Sequence, residues 1–308
     1  MATEKINEIL NWYPALTEAQ TNNFVKLISY GRIGGTGKFV ILPVDQGFEH
    51  GPARSFSPNP LGYDPRYHAS LAVKSRCNAY AAPLGAIEAA ADIIEEYKLP
   101  VILKVNNHDL MMPDEADALP ALTGWVEDAV RLNAAAVGIT IYPGSAHARE
   151  MYQQVKKLAH DARKAGLVVV VWTYPRGSGI PSKEAETAVD VVSYAVHIAA
   201  QLGAHIIKCK PTTALVALPG NVKKKVYEGL SVATLTERTR LVIEAAFGGR
   251  RVVVCSGGET KDTAILLDEV RELKAGGVHG SIVGRNAFQR PEAEAISLLH
   301  AIQEIYLS

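Results

Sequence analysis

Two lysines that follow an apolar run have the pattern of an amine nucleophile. Lys208 and Lys210 lie in the sequence AHIIKCKP. If the run is a strand, both lysines share one face and Cys209 lies on the other. Desolvation and a neighbouring ammonium favour a neutral amine, which can attack a ketone and form a Schiff base. The alternative is that one lysine reaches solvent at a rim while the other pairs with an acid.

A second group has the composition of a phosphate site. The sequences Ser256-Gly257-Gly258 and Gly284-Arg285 each follow a later β-rich run. Glycines let backbone N–H groups approach phosphate oxygens closely, and arginine binds such oxygens through two donors. Tight turns with a surface arginine are the alternative. We expect a phosphate site here.

Tyr174 and Asp45 are the candidates for proton transfer and for binding substrate hydroxyls. We expect nearby ammonium groups to lower the pKa of Tyr174, so that its phenol can shuttle protons. A buried tyrosine with one hydrogen bond is the alternative. Asp45 either caps the next element or binds a hydroxyl. His50, His108 and Glu49 lack HxH or HExxH spacing, so we predict no metal site.

The candidate residues share one location, the carboxyl ends of short β-rich runs. Several runs, such as LVVVVW, are almost continuously apolar, which is typical of parallel strands buried on both faces. The predicted strands are Phe39–Val44, Ala79–Ala82, Val101–Val105, Ala136–Ile141, Val168–Thr173, His205–Lys208, Arg251–Cys255 and Gly280–Val283. Helical patterns alternate with them, and the clearest predicted helices are Ala86–Tyr97, Ala146–Ala165, Lys183–Leu202, Lys261–Lys274 and Glu292–Tyr306.

Eight successive β/α units predict an α/β fold, the (β/α)₈ TIM barrel. We predict a barrel catalytic domain over residues 38–308, preceded by a short N-terminal helical extension over 1–37. An open doubly wound sheet is the alternative, but no GxGxxG follows the first strand. In such barrels the chemistry lies at the carboxyl ends of the strands, and phosphate commonly binds after strands seven and eight. The Gly34–Gly37 stretch precedes a strand, so we predict a plain turn there.

The composition excludes several classes of partner. Lys plus Arg and Asp plus Glu each number 32, so we expect neither nucleic acid nor an anionic membrane surface as a partner. No run of about 18 apolar residues predicts a membrane span, and the first residues have no signal-like apolar segment. The 3 cysteines form no CxxC, which is typical of a reduced protein of the cytoplasm.

Six motifs occur in a fixed order between residues 39 and 290: VDQGFEHGP, ITIYPGS, WTYPRGSG, AHIIKCKP, CSGGET and IVGRNAFQR. Together they resemble the class I fructose-bisphosphate aldolases of the archaeal and bacterial type. The resemblance implies a homo-oligomeric lyase of glycolysis and gluconeogenesis that uses no metal or other cofactor. It also implies a small phosphorylated sugar as partner, with fructose 1,6-bisphosphate cleaved reversibly to dihydroxyacetone phosphate and glyceraldehyde 3-phosphate.

The resemblance also implies residue roles. Lys208 forms the Schiff base, Tyr174 is the proton donor, and Asp45 orients the substrate hydroxyls. The implied substrate- and phosphate-binding residues are Gln46, His50, Trp172, Arg176, Lys210, Ser256, Gly257, Gly258, Gly284 and Arg285. Gln46 stands where many archaeal members have histidine, so proton transfer at this position is not implied. Two alternatives remain: another lysine-dependent aldolase or transaldolase-like enzyme acting on a related phosphorylated ketose, and a non-catalytic sugar-phosphate-binding barrel.

Overall fold

The computed structural model describes residues 3–111, 117–258 and 260–308, and its centre is a closed parallel barrel. The barrel strands are β1 (Phe39–Pro43), β2 (Ala79–Pro83), β3 (Val101–Lys104), β4 (Ala136–Ile141), β5 (Val168–Thr173), β6 (Ile206–Cys209), β7 (Val252–Ser256) and β8 (Gly280–Ile282). Each strand pairs in parallel with the next, and β1 closes the ring against β8. The predicted barrel is confirmed.

The side chains of each strand alternate between the barrel interior and the surrounding helices. On β6, for example, Ile206 belongs to the interior cluster, whereas Ile207 and Cys209 pack with the outer one. The same alternation on β3 places Ile102 inside and Leu103 outside. This period of two fixes which side chains reach the mouth of the barrel.

Helices surround the barrel, and within the described ranges none is long and apolar enough to cross a membrane. The α-helices are Glu4–Leu10, Glu18–Ser29, Gln46–Glu49, Pro52–Phe56, Pro65–Lys74, Leu84–Ala89, Ala91–Glu96, Val126–Arg131, Ala148–Lys164, Val189–Gln201, Pro219–Lys223, Leu235–Ala245, Thr263–Ala275, Arg285–Phe288 and Glu292–Leu307, with 3₁₀ helices at Pro60–Tyr63 and Glu184–Thr187. A short ladder of Asn106–Asn107 and Ala121–Leu122 follows β3.

Two predicted helices differ from the structure. The predicted helix Ala86–Tyr97 is interrupted at Ala90, whose amide bonds the carbonyl of Ile87, three residues back, so the turn tightens there. The helix predicted from Lys183 begins only at Val189. The chain before it is held by the loop after β6, because the Val189 amide donates to the Leu215 carbonyl at 3.0 Å. Tertiary contacts of this kind override local helix propensity.

The first two helices close the amino-terminal end of the barrel. Apolar side chains from them, including Ile6 and Phe24, join the interior cluster. Tyr13 bridges two strands, since its hydroxyl donates to the His205 carbonyl at 2.6 Å and accepts from the Val252 amide at 2.8 Å. Gly34–Gly37 lies in a turn, as predicted. The division into units 1–37 and 38–308 stays a prediction.

Candidate active site

Lys208 lies inside the mouth of the barrel, in phase with the inward-facing Ile206. It is 4% exposed, and its Nζ lies 5.2 Å from the ring centroid of Trp172 and 5.5 Å from that of Tyr174. Burial lowers the pKa of Lys208 to about 8, and this outweighs the opposing effect of the Asp45 and Glu49 carboxylates. The amine is therefore partly neutral near physiological pH, as nucleophilic attack on a ketone requires.

A second buried lysine lies beside the first. Lys104 ends β3, is 1% exposed, and faces the same interior. Its Nζ lies 3.9 Å from Asp45 Oδ2 and donates to the Asn106 carbonyl. The positive charge of Lys104 contributes to the lowered pKa of Lys208. The sequence pointed to Lys210 as the neighbouring ammonium, but the cations that lower the pKa of Lys208 are Lys104 on β3 and Arg285.

Lys210 lies at the rim, above the same tyrosine. Its Nζ is 5.7 Å from the ring centroid of Tyr174 and 3.7 Å from Glu186 Oε2. Glu186 also pairs with Lys183 at 3.0 Å. Arg176 stands nearby, with its guanidinium 4.8 Å from the ring centroid of Tyr142. The ends of β5 and β6 therefore carry a cationic region.

The expected lowering of the Tyr174 pKa is wrong. Burial raises the pKa of Tyr174 well above its ordinary value, and the nearby Glu49 and Asp45 carboxylates raise it further. Both Lys208 and Lys210 do lie over its ring, but the desolvation of a phenolate and the two carboxylates outweigh them. Tyr174 is therefore a protonated phenol in the free protein and can donate a proton.

The loops after β7 and β8 meet at the adjacent arc of the mouth, on the other side of β6 from β5. Gly258 has a φ of +70°, a conformation that side chains rarely adopt. A Cβ on Gly284 would lie 2.8 Å from the Pro43 carbonyl oxygen, so only glycine fits there. Asn286 joins the two loops by donating to the Gly257 carbonyl at 3.1 Å. These glycines and Arg285, which opens a short helix, form the arrangement that binds phosphate in such barrels.

The loop after β1 supplies the remaining wall. Gln46 starts a four-residue helix, and its amide lies next to the position where a Gly284 Cβ would stand. Burial, followed by Arg285 and Arg54, lowers the pKa of His50 to about 4, so its imidazole is neutral. Burial and the Asp45 carboxylate raise the pKa of Glu49 to about 7.

These walls enclose one cavity with a volume of about 490 Å³. Its lining includes the predicted residues Asp45, Gln46, His50, Tyr174, Arg176, Lys208, Lys210, Ser256, Gly257, Gly258, Gly284 and Arg285, together with Pro43, Glu49, Arg54, His108, Leu110, Tyr142, Lys183, Glu186 and Ile282. The structure thus brings together every predicted site residue except Trp172. In the part of the chain that the structure describes, no group of three or more His, Cys, Asp or Glu residues is arranged to hold a metal ion.

Residues 39–290 match the DeoC/LacD family of aldolases. The chain belongs to this family. It is 36% identical over 306 residues to a Chlamydia muridarum protein named "Probable fructose-bisphosphate aldolase class 1", covering 94% of this chain and 86% of the relative. The Thermoproteus tenax "Fructose-bisphosphate aldolase class 1" is 34% identical over 273 residues, covering 87% and 89%.

Solved aldolase structures share the fold. A Schiff-base-forming fructose-1,6-bisphosphate aldolase, studied through its reaction intermediates, superposes with a TM-score of 0.75 at 31% identity, covering 92% of this chain and 98% of that one. The fructose-bisphosphate aldolase of Slackia heliotrinireducens superposes with a TM-score of 0.78 at 26% identity, covering 94% and 86%.

The ring of Trp172 packs beneath the two buried lysines of this aldolase, Lys104 and Lys208. It is 1% exposed and does not line the cavity, and its ring lies 5.8 Å from Lys104 Nζ as well as beside Lys208. The ring fits because Gly138 on β4 has no side chain; a Cβ there would lie 2.3 Å from Trp172 Cζ3. The predicted contact between Trp172 and substrate stays a prediction.

Sequence reasoning assigned no site role to five charged residues in or beside the cavity: Lys104, Glu49, Arg54, Lys183 and Glu186. The signal for Lys104 was present, because Ile102-Leu103-Lys104 repeats the pattern of Ile206-Ile207-Lys208. Glu49 and Glu186 lie on short helical turns rather than strands, where no alternation predicts which way a side chain points.

Proposed function

We propose that this aldolase cleaves fructose 1,6-bisphosphate reversibly into dihydroxyacetone phosphate and glyceraldehyde 3-phosphate, through a Schiff base on Lys208. One observation carries the proposal: Lys208 is a buried amine with a lowered pKa, at the floor of a cavity whose rim is cationic. Desolvation makes the amine nucleophilic, and the open cavity gives a ketone access to it.

The distribution of charge favours a substrate with two phosphates. The glycine loops and Arg285 occupy the arc of the mouth formed by β7 and β8. Lys183, Lys210 and Arg176 occupy the arc formed by β5 and β6. A sugar bound to both arcs lies across Lys208, and its C1 phosphate at the glycine loops holds the C2 ketone beside the amine.

The first chemical step is attack of the neutral Lys208 amine on C2. The C2 oxygen then leaves as water, and the phenol of Tyr174 is the proton donor for this departure. The product is an iminium, which withdraws electrons from C3.

When the C3–C4 bond breaks, the Tyr174 phenolate left by the dehydration takes the C4 hydroxyl proton, and the O–H pair becomes the second bond of the C4 carbonyl, so that glyceraldehyde 3-phosphate leaves. The C3–C4 electron pair forms the C2–C3 double bond, and the iminium becomes an enamine. Tyr174, protonated again, then protonates C3, and water hydrolyses the iminium to release dihydroxyacetone phosphate, returning the last proton to Tyr174.

Asp45 is assigned to the substrate hydroxyls. Its Oδ2 is held near Lys104, while its buried Oδ1 makes no hydrogen bond within the described structure. A buried carboxylate oxygen without a donor is costly, so a sugar hydroxyl at this point gains an acceptor that is already oriented. We assign Gln46 and His50 to substrate binding on the same ground, because a buried polar atom of each has no hydrogen-bond partner among the described residues.

The remaining parts of the proposal concern the setting of the reaction. We assign no metal and no other cofactor, because the iminium on Lys208 itself serves as the electron sink. We propose a homo-oligomer working in the cytoplasm, with the phosphorylated sugar as its partner and no role for nucleic acid or membrane. Light scattering on the purified protein measures the oligomeric state, and a monomeric mass contradicts that part.

Borohydride trapping tests the proposed reaction. The protein is reduced in the presence of fructose 1,6-bisphosphate, and the modified peptide is mapped by mass spectrometry. We expect the adduct on Lys208 and none in Lys208→Met, with cleavage lost in that variant. An adduct on Lys210 keeps the reaction and reassigns the nucleophile. If the sugar binds but no adduct forms, the Schiff-base reaction is excluded.

A further inference from the structure

Asp117 links three loops at the mouth of the barrel, although it lies outside the described cavity lining. It belongs to the chain between β3 and β4, and its Oδ1 accepts hydrogen bonds from the Ala146 amide at 2.8 Å and from the Ser178 amide at 3.0 Å. The Ser178 hydroxyl donates to the same oxygen at 3.1 Å. Ala146 follows β4 and Ser178 follows β5. One carboxylate oxygen therefore joins the loops after three neighbouring strands.

The carboxyl group of Asp117 is ionised in this position. The Ala146 and Ser178 amides lower the pKa of Asp117 below its ordinary value, because an N–H donor favours the charged acceptor. Hydrogen bonds to an ionised acceptor are shorter and stronger than those between neutral groups. An alanine at this position removes all three hydrogen bonds, whereas an asparagine keeps an oxygen acceptor without the charge. The contribution of the charge can therefore be measured separately from that of the side chain.

The loop after β5, which Asp117 holds, also carries Arg176. The Arg176 amide donates to the Pro143 carbonyl at 3.0 Å, and this bond ties the loop to the end of β4. The next residue, Gly177, has a φ of +113°, and a Cβ there would lie 2.4 Å from the Cα of Ser145. The two loops are therefore in direct backbone contact. Asp117 bonds to both of them within two residues of Arg176, so it restrains the point from which the guanidinium reaches the cavity.

We propose that Asp117 is a positioning residue that holds Arg176 against the C6 phosphate of the sugar. This inference rests on the proposed aldol cleavage. With the C1 phosphate at the glycine loops, the C6 phosphate lies at the arc of β5 and β6, where Arg176 lines the cavity. A guanidinium binds phosphate through two parallel donors, so the contact depends on its orientation. Loss of Asp117 lets the loop shift and weakens this contact, while Lys208 stays in place on β6.

Two substrates separate this role from a general disturbance of the site. Fructose 1-phosphate has the C1 phosphate, the C2 ketone and the C3–C4 bond of the bisphosphate, but no phosphate on C6. Asp117→Ala raises the KM for fructose 1,6-bisphosphate roughly 10-fold, the lower end of what one charge-assisted contact contributes. The KM for fructose 1-phosphate and both kcat values stay at the wild-type level. Asp117→Asn and Ser178→Ala, which keep part of the hydrogen bonding and the fold, change the ratio of the KM values in the same direction but less.

A double variant shows whether Asp117 acts through Arg176. Arg176→Ala alone raises the KM for the bisphosphate at least as much as Asp117→Ala does. Adding Asp117→Ala to Arg176→Ala then has little further effect, because the guanidinium to be positioned is already absent. Asp64→Ala is the matched control. Asp64 also accepts a backbone hydrogen bond, from the Arg66 amide at 2.9 Å, but at the start of the helix Pro65–Lys74, so this variant keeps the wild-type ratio of the two KM values.

The results separate a failure of this inference from a failure of the proposed function. If the wild type neither cleaves nor traps either sugar, the proposed function fails and this inference fails with it. If the wild type traps sugar on Lys208 but has the same KM for both sugars, the role of Asp117 is wrong while the Schiff base stands. The same holds if Asp117→Ala leaves the ratio of the KM values unchanged, or if its effect multiplies with that of Arg176→Ala. A changed ratio in Asp64→Ala also overturns the inference, because a distant loss of stability would then suffice.

Discussion

The lowered pKa of Lys208 sets how fast the Schiff base forms near neutral pH. At a pKa of 10.5 about 0.03% of an amine is neutral at pH 7, and at a pKa of about 8 roughly 9% is neutral. Burial of this single side chain therefore increases the reactive fraction about 300-fold. We expect imine formation at saturating sugar to rise with pH and to level off above a midpoint near 8.

Single-turnover trapping between pH 7 and 10.5 measures this midpoint, in a range where the sugar phosphates are already ionised. The variant Asp45→Asn supplies the perturbation. The Asp45 carboxylate raises the pKa of Lys208, so its removal lowers the midpoint below 8 and increases the neutral fraction at pH 7. Each unit of change corresponds to a tenfold change in the rate at low pH.

Two results refute this reasoning. A wild-type midpoint close to 10.5 means that the amine is solvated when the sugar arrives, so burial in the free protein does not control its reactivity. A midpoint that moves upward in Asp45→Asn means that Asp45 does not stabilise the charged amine. Circular dichroism of both proteins over the pH range is the control for unfolding.

Three further predictions concern the same framework. Lys208→Met increases the free energy of unfolding at pH 7 by up to about 3 kcal/mol, because the buried amine binds fewer protons than the unfolded chain does between pH 8 and 10.5. This gain vanishes as the pH rises through that window, and denaturant titration at both ends of the window measures it. Arg285→Ala raises the KM for fructose 1,6-bisphosphate by roughly 10- to 150-fold, the worth of one charge-assisted contact, with imine trapping at saturation retained; an unchanged KM contradicts the assignment. Tyr13→Phe lowers the free energy of unfolding by about 1–3 kcal/mol through loss of its two hydrogen bonds, while kcat stays unchanged. A lower kcat in fully folded protein contradicts this and means that contacts at the amino-terminal end of the barrel affect the active site.

The barrel was predictable because its strands are buried on both faces. Runs such as Val168–Thr173 are apolar up to the last residue and buried throughout, and the structure begins and ends β5 at the predicted residues. The ends of the helices were harder to predict from the sequence. Nothing in the sequence around Lys183 indicates that the loop after β6 keeps the chain out of a helix until Val189.

The site was predictable where strands end and less so where loops turn. Lys208 follows from alternation along β6, and the glycines after β7 and β8 follow from their place in the barrel. The protonation state of Tyr174 could not be predicted from the sequence, because its pKa depends first on burial and then on Glu49 and Asp45, which lie far away along the chain. Only ring closure brings these carboxylates to the tyrosine.

The helical floor of the barrel places a constraint on the order of folding. Tyr13 bonds to backbone groups 192 and 239 residues later in the chain. The first helices leave the ribosome long before β6 and β7 exist, so their apolar faces have no native partner during most of synthesis. Contacts of such sequence separation form slowly and late, and the exposed segment is prone to association until then. The first two helices are therefore the segment that gains most from chaperone binding during synthesis, because their apolar faces are exposed for longest.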